Sequence, residues 1–589
     1  MDPQVAAHRL NEIALLLEVR GENPFKSRAF AQAARTIGEL EEDDIAPMVR
    51  SRDIARLPGI GSKTLAVLAD LVETGESSYL ASLRESTPAG LIEMMRIPGL
   101  GLTRIHRIHE GLGVASVAEL EAAARDGRLA ALSGFGPKTA DKILRGISTF
   151  RQTSGQIMHL DAYPEAQRLR RSIARLPGVE RVDIAGPLRR TADVVSQIDL
   201  VAGCSSDPAE VADTVGKAPG VEEVIAAGGG SVAFRLISGA RVQLHCVADD
   251  SFPLALWRAT GTAEHCDAVL ARLRDRGFSI ESGRLVDARG SVVRNEDEET
   301  LYRSAGLAWI PLELREYRGE IAAAAAGKLP ELIELGDLRG ILHCHSSYSD
   351  GKTTIAALAE AAKERGWSYL GVSDHSQAAS YAGGLTPDDV LRQHDEIDAL
   401  NAKLKGFRVL KGIEADILAD GSVDFADDLL DRFDYVIGSV HSRFGMDQKE
   451  MTTRVLKAMT DPRLTIIGHP TGRLLLRREP FSVDMDAIMD MAVEKGIALE
   501  LNCDPNRLDL DWRWVQKARD RGITIEIGPD AHAPDELSFV DFGMQMARKG
   551  WLEKANVLNT RSAEDVVRFA RARREPGRTR QPGKAKRGA

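Results

Sequence analysis

The sequence predicts a multidomain protein with a helical front, an α+β middle and an α/β barrel at the back. Three observations carry that expectation. A Gly-x-Gly turn between helix-like segments occurs three times before residue 140, short β-like runs appear from about Asp161 to Val247, and β-like runs then alternate with amphipathic helical stretches beyond Leu338. At 589 residues the chain also exceeds what one hydrophobic core ordinarily supports, so division into domains is expected.

The turns come first in the chain. LPGIGSKTLA from Leu57, IPGLGLTRIH from Ile97 and LSGFGPKTAD from Leu132 each join one helix-like segment to the next. The glycine pairs are Gly59 and Gly61, Gly99 and Gly101, and Gly134 and Gly136. Glycine permits positive φ and keeps side chains out of the way, so amides opening the second helix can face a phosphate oxygen. Lys63 and Lys138 add a point charge beside them; the second copy has Thr103 there, followed by Arg104. One such turn says little, because tight helix connections favour glycine anyway, but three within about 80 residues say much more. The pattern resembles the helix-hairpin-helix family, which implies a grip on DNA backbone without sequence readout.

In the middle, VERVDIAG, IDLVAGC, SVAFRLI and ARVQLHCV are expected strands, with helical or mixed sequence to about Tyr317. The alanine-rich GEIAAAAAGKLPELIELGDL looks like a linker. Beyond it GILHCH, YLGVSDH, FRVLKGIEADI, YVIGSVHS, TIIGHP, IALELNC and ITIEIGPDAH alternate with helical stretches, the pattern of an α/β barrel.

Strand residues i and i+2 point to one side, so His343 and His345 can bind one ion at a strand end. Asp350 lies in the following loop, His375, Glu414, His441 and His469 fall where later β-like runs stop, and Asp530 and His532 form a second i, i+2 pair. A lone histidine in an apolar run is more often a core residue than a ligand, yet that explanation would have to hold at every strand end at once. In α/β barrels the carboxyl ends of strands are where active sites assemble. Nine oxygen and nitrogen donors suit two or three divalent cations, and the mixed imidazole and carboxylate set favours Mn²⁺, Zn²⁺ or Fe²⁺ over Mg²⁺ alone without choosing among them. Such a cluster supports phosphoester hydrolysis without a protein nucleophile.

HCH at 343–345, SDG at 349–351, SDH at 373–375, GIE at 412–414, SVH at 439–441, GHP at 468–470 and DAH at 530–532 resemble the polymerase-and-histidinol-phosphatase (PHP) family of metal phosphoesterases over residues 338–570. All nine ligand positions of that family are matched. Arg473 and Arg507 stand in family-like contexts and are candidate phosphate contacts, with a salt bridge as the equal alternative.

Hairpin repeats, then AGPLRRTADVVSQIDLVAG, then a PHP region resemble the bacterial family X DNA polymerases over nearly the whole length. The fold so implied is a helix-hairpin-helix region plus an α+β nucleotidyltransferase-like palm, followed by an α/β PHP (distorted TIM-like) barrel. The implied division is an N-terminal helical domain at 1–80, a fingers-like region at 81–155, the palm at 156–248, a thumb-like unit at 249–318, a linker at 319–337, the barrel at 338–570 and a basic disordered tail at 571–589. Polymerisation in that family uses three aspartates on two Mg²⁺ ions. Here the expected pair is Gln197 and Asp199, and the third position is Gln243, so two of three anionic ligands are neutral. Pro187 replaces the serine of the family's G-S-x-R-R turn and offers a phosphate neither hydroxyl nor amide hydrogen. Asp193 is out of phase with the missing acids. The expectation is a palm impaired in polymerisation and kept to position DNA.

Composition bounds the rest. The formal net charge of −10 is not the basic footprint of a typical nucleic-acid binder, but backbone amides and bound cations can hold DNA without many lysines. The five cysteines form no CxxC pair, as expected in a reducing compartment. No run of about eighteen apolar residues appears, and Glu12 and Glu18 interrupt the N-terminal apolar stretch, so a cytosolic location and no membrane partner are expected. The leading function is a DNA repair enzyme hydrolysing phosphate esters on gapped, nicked or 3′-ended DNA, and the resemblance to the family X polymerases implies that this is Mn²⁺-dependent 3′→5′ exonuclease or phosphoesterase chemistry. An active gap-filling polymerase, a non-catalytic DNA-binding scaffold and a small-molecule phosphatase are the alternatives.

Overall fold

A computed structural model describes residues 1–40, 42, 44–294 and 297–574. The front holds two small helical cores. One gathers Leu10, Ile13, Leu17, Phe30, Ile37, Leu68 and Leu71, and the other Met94, Ile105, Ile108, Leu120, Ile143 and Ile147. Each repeated turn feeds a helix, Ser62–Thr74, Leu102–Leu112 or Pro137–Thr153. The first glycine of each turn is left-handed, with φ of 80° at Gly59, 77° at Gly99 and 82° at Gly134, which explains glycine there. The second glycine is an extended N-cap in each case, and a Cβ added at Gly61, Gly101 or Gly136 would meet nothing within 4 Å. Nothing inside the fold requires those three to lack a side chain.

The second and third hairpins brace each other reciprocally. Arg107, on the helix of the second, donates to Ser133 O and covers Gly134, while Lys142, at the matching place in the third, lies 3.2 Å from where a Cβ on Gly99 would be.

The middle sheet has five strands, β1 Val179–Ala185, β2 Ile198–Cys204, β3 Val221–Gly228, β4 Ser231–Leu236 and β5 Arg241–Ala248, in the order β1-β2-β5-β4-β3. Only β2 and β5 run parallel, which sets Asp199 opposite Gln243. Val232, Phe234 and Leu236 alternate inward against helices His159–Ile173 and Pro208–Gly216. Two expectations need correction. The region begun at Asp161 opens with a helix, and β3 went unforeseen because VEEVIAAG is an exposed edge strand without the alternation that marks a half-buried one.

The segment expected to be thumb-like, 249–318, packs around Trp257, Val269, Leu301, Tyr302 and Leu314. The expected linker at 319–337 largely packs with it. Helix Glu320–Ala325 buries Ala324 in that core, and Glu320 caps the Tyr317 and Arg318 amides and meets His265 Nδ1 at 2.6 Å. Ile333 N then donates to Leu552 O, so the barrel's packing begins a few residues before 338.

Seven parallel strands follow in sequential order: β6 Gly340–Ile341, β7 Tyr369–Val372, β8 Arg408–Asp416, β9 Tyr435–Ser439, β10 Ile466–Ile467, β11 Ala498–Asn502 and β12 Ile525–Gly528. The chain beyond β12 returns to the chain beyond β6, where His345 N donates to Ala531 O at 2.8 Å, and the sheet is nearly closed. Tyr435 fills the barrel and bonds Leu342 O and Val372 O; a Cβ on Gly371 or Gly412 would strike its ring. Helix Ala563–Arg571 packs with Leu342, Tyr369 and Tyr435 in a separate core.

Residues 571–574, expected to open a disordered tail, belong to the fold. Arg573 donates to Lys495 O, Met459 O and Asp461 O, and Arg574 to Asp431 O and Phe433 O. The remainder, 575–589, lies outside the described residues. Among the described residues no helix is long and apolar enough to cross a membrane.

Candidate metal centre

The nine ligand-type residues meet at the carboxyl ends of the barrel strands. His343 and His345 follow β6, His375 follows β7, Glu414 ends in β8, His441 follows β9, His469 follows β10, and Asp530 and His532 follow β12. Two of them leave their strands sharply, with φ of 25° at His469 and 53° at Asp530, a region non-glycine residues enter only when their surroundings hold them there.

Glu414 is the hub. Its Oε1 lies 3.0 Å from His469 Nε2, 3.3 Å from His441 Nε2 and 3.5 Å from His343 Nε2, and its Oε2 lies 2.9 Å from His375 Nδ1. Asp530 Oδ1 is 3.0 Å from His345 Nε2 and 3.5 Å from His343 Nε2. Asp350 joins the outer side, 3.4 Å from His532 Nε2 and 3.6 Å from His375 Nε2. Three groups have ligand atoms close enough to share an ion: His345, Asp350, His375 and His532; His343, His345 and Asp530; and His375, Glu414 and His441. His469 adjoins the third, its Nε2 3.3 Å from that of His441.

The residues fit divalent cations. His343 Nε2, His345 Nδ1 and Glu414 Oε2 are buried and make no hydrogen bond, a costly state that a cation would relieve. Charge is also prepared. Burial works to raise the Glu414 carboxyl, but His441, His375 and His343 hold it well below the usual range; Asp530 is likewise held down against burial, by His343 and His345. Burial opposes ionisation of Asp350 as well, yet His532, His345 and His375 bring it to about 2.

Supporting groups escaped the sequence reading. Asp416 accepts from His441 Nδ1 at 2.7 Å, and Glu500 meets His343 Nδ1 at 2.5 Å while accepting from the His469 amide. Such contacts fix which ring nitrogen would face a metal. Asn502 Nδ2 donates to Asp530 Oδ2 at 3.0 Å, and buried Asp374 accepts from Ser346, Ser349 and Gln393. Ser346 therefore supports a loop, whereas Cys344 is a buried packing thiol. The available signal was a carboxylate inside an apolar strand, as in IALELNC and GIEADI.

Arg473 does not face this centre. It donates to Arg507 O, Leu508 O, Asp511 and Asp193, the last across the contact with the palm. Of the two readings open for this position, a phosphate contact or a salt bridge, the contacts are those of a salt bridge. Arg507 does face the centre, its buried Nε without a hydrogen bond and 4.0 Å from Asp530 Oδ2.

In the palm, Gln197 Nε2 donates to Asp199 Oδ1 at 2.6 Å, and Gln243 Nε2 donates to Ser231 Oγ at 2.7 Å. Burial raises the Asp199 carboxyl. Arg190 is buried against Thr260 O and Glu316, and Arg189 pairs with Glu298. Lys63 and Lys138 are exposed beside their hairpins, while Arg104 donates to Gly99 O at 2.9 Å.

Helical hairpins, a nucleotidyltransferase-like sheet and a histidine- and carboxylate-rimmed barrel in one chain describe a nucleic-acid enzyme of polymerase type with an added phosphoesterase domain. Residues 1–77 match the helix-hairpin-helix domain model, 91–149 the SAM-like helix-hairpin-helix tandem and 342–504 the PHP domain. The chain is 36% identical over 563 residues to the DNA polymerase/3′-5′ exonuclease PolX of Bacillus subtilis (strain 168), covering 95% of this chain and 98% of that protein. It belongs to the PolX family, the bacterial family X DNA polymerases with a C-terminal PHP domain. It is also 25% identical to a probable phosphatase of Thermoanaerobacter sp. (strain X514), over 37% of this chain and 89% of that protein, and 32% identical to one of Syntrophotalea carbinolica, over 27% and 64%.

Proposed function

We propose that this protein acts on gapped, nicked or 3′-ended DNA as a metal-dependent 3′→5′ exonuclease and phosphoesterase through its barrel, and that its palm positions DNA with polymerisation impaired. The observation that carries the reading is the convergence of nine imidazole and carboxylate side chains, with Glu414 and Asp530 at their middle and buried polar atoms that make no hydrogen bond. The B. subtilis relative is named as a DNA polymerase and 3′-5′ exonuclease and two others as probable phosphatases, which supports phosphoester hydrolysis by the barrel. In this reading residues 1–80 and 81–155 grip backbone, 156–248 is the platform and 249–318 its thumb.

Divalent cations, Mn²⁺ by resemblance to the family and otherwise Zn²⁺ or Fe²⁺, would supply Lewis acidity toward the phosphoryl group when bound by these nine side chains. Asp416 and Glu500 hold the His441 and His343 rings so that Nε2 of each faces the centre. Arg507 would take a phosphate oxygen. The impaired palm is supported by three features: two amides where family polymerases carry acids, their hydrogen bonds to Asp199 and Ser231, and an Arg190 already held by Thr260 and Glu316. Retained gap filling is the competing reading.

The test is 5′-labelled gapped DNA with Mn²⁺, with and without dNTPs, beside a His343→Ala variant. Shortening that His343→Ala loses, with no extension, is the expected result. Robust extension by the unaltered protein would overturn the impaired palm, and gain of extension in a Gln197→Asp, Gln243→Asp double variant would support it. Failure to shorten DNA with any of the three metals would overturn the barrel reading.

A further inference from the structure

Beside the metal centre stands an aromatic ring the chemistry above does not use. Tyr381 is 70% exposed, yet its ring centroid lies 6.1 Å from that of His375 and 6.2 Å from that of His441. The loop carrying it is firmly anchored. Ala379 and Ala382 on either side are buried, Ser376 N donates to Glu414 O at 3.0 Å, Leu385 N donates to His375 O at 2.9 Å and Ala378 N donates to Asp424 at 2.8 Å. Gly384 packs so tightly that a Cβ there would strike Ser376 O. A large exposed ring is thus presented beside the centre by an anchored backbone.

The neighbourhood carries guanidinium groups as well as the carboxylates Glu414, Asp416, Asp350 and Asp530. Arg507 borders Asp530, and Arg478, stacked over Phe444 at 4.3 Å, lies within electrostatic reach of both Arg507 and Tyr381. An exposed aromatic next to guanidinium groups is the combination that holds single-stranded nucleic acid, the charge taking backbone and the ring a base. A bare phosphate has no use for the ring. We propose that Tyr381 is a base-stacking subsite that receives the 3′-terminal nucleobase of single-stranded DNA while the phosphodiester on that same nucleoside lies over the metal centre. The inference rests on the exonuclease reading. In the reaction it serves, a water oxygen bonds to phosphorus, the bond from phosphorus to the 3′ oxygen of the penultimate nucleotide breaks, and that oxygen takes up the water proton. The products are a nucleoside 5′-monophosphate and a new 3′-hydroxyl. Tyr381 touches the base and positions the phosphate without taking part in proton transfer.

The experiment uses the full chain with Mn²⁺ and two 5′-labelled single-stranded oligonucleotides, one ending in thymidine and one ending in a baseless tetrahydrofuran residue at the same position. Stacking is worth about 1–3 kcal/mol per base, roughly 5- to 150-fold. The unaltered protein is expected to favour the thymidine end in kcat/KM by about tenfold or more, Tyr381→Phe to keep that preference, and Tyr381→Ala to bring the ratio close to one, mainly through KM. An unchanged ratio in Tyr381→Ala, or equal loss on both probes in Tyr381→Phe and Tyr381→Ala, overturns the subsite while leaving the exonuclease standing. No cleavage of either probe by the unaltered protein overturns both.

Discussion

Arg473 and Arg507 look equivalent in sequence, each an arginine in a loop after a barrel strand, and the structure separates them by what they touch. Arg473 is shared among Asp511, Asp193 and two backbone carbonyls. Removing one member of a buried ion-pair network costs about 3–5 kcal/mol because the partners are left uncompensated. Arg473→Ala is therefore expected to lower the unfolding midpoint in denaturant strongly, whereas Arg507→Ala, which leaves no such network, is expected to alter stability little and raise KM for a phosphodiester. Equal stability of the two variants would contradict this assignment. The contrast also marks how far residues are legible. The histidines announced themselves by i, i+2 spacing and by ending apolar runs, but Asp416 and Glu500 sit within strands, where one carboxylate looks the same whether it orients a ligand or pairs with a lysine. Arginine partners come from segments far apart in the chain and cannot be read from spacing.

Between elements, the palm meets the barrel through helix His159–Ile173 and helix Phe539–Lys549, where His159 stacks on Phe542 at 4.5 Å. His159 Nδ1 lies 3.0 Å from Ala192 O, and burial pushes the imidazole down to about 4. The folded state thus keeps it neutral where the unfolded chain, at about 6.5, takes a proton. Its contribution is present in full above about pH 6.5, declines as pH falls and is gone once pH passes below about 4. Thermal unfolding followed from pH 8 to pH 4.5 should show a stability loss on acidification that is shallower in His159→Gln; parallel curves would disprove the contribution. At this scale the sequence was informative wherever an element buries one face, as in β4, and silent where it does not. Strand β3 lies exposed at an edge, and the alanine-rich segment taken for a linker gains its place through Glu320, a charged residue whose partner His265 is 55 positions away.

Across the whole molecule the barrel is tied into the polymerase-type core. Buried Lys549 donates to Arg190 O at 2.8 Å and pairs with Glu316, which also holds Arg190. The turn that carries Arg190 is therefore steadied from the barrel side. Metal should strengthen the barrel itself, since an ion that binds only the folded form adds about 2.7 kcal/mol at a hundredfold excess over its Kd. Adding Mn²⁺ to chelator-treated protein should raise the barrel's melting temperature, and a His345→Ala, Asp530→Ala double variant should lose that rise. An equal rise in both would place the binding elsewhere. The architecture was legible because hairpin glycines and strand-end histidines recur, whereas the joints between domains involve single residues that nothing repeats. The arginine pair after the last helix shows what such joints mean in practice. A chain cut at Arg571 would strip the donors from five main-chain oxygens contributed by Asp431, Phe433, Met459, Asp461 and Lys495, so anyone trimming or tagging this protein should keep everything through Arg574.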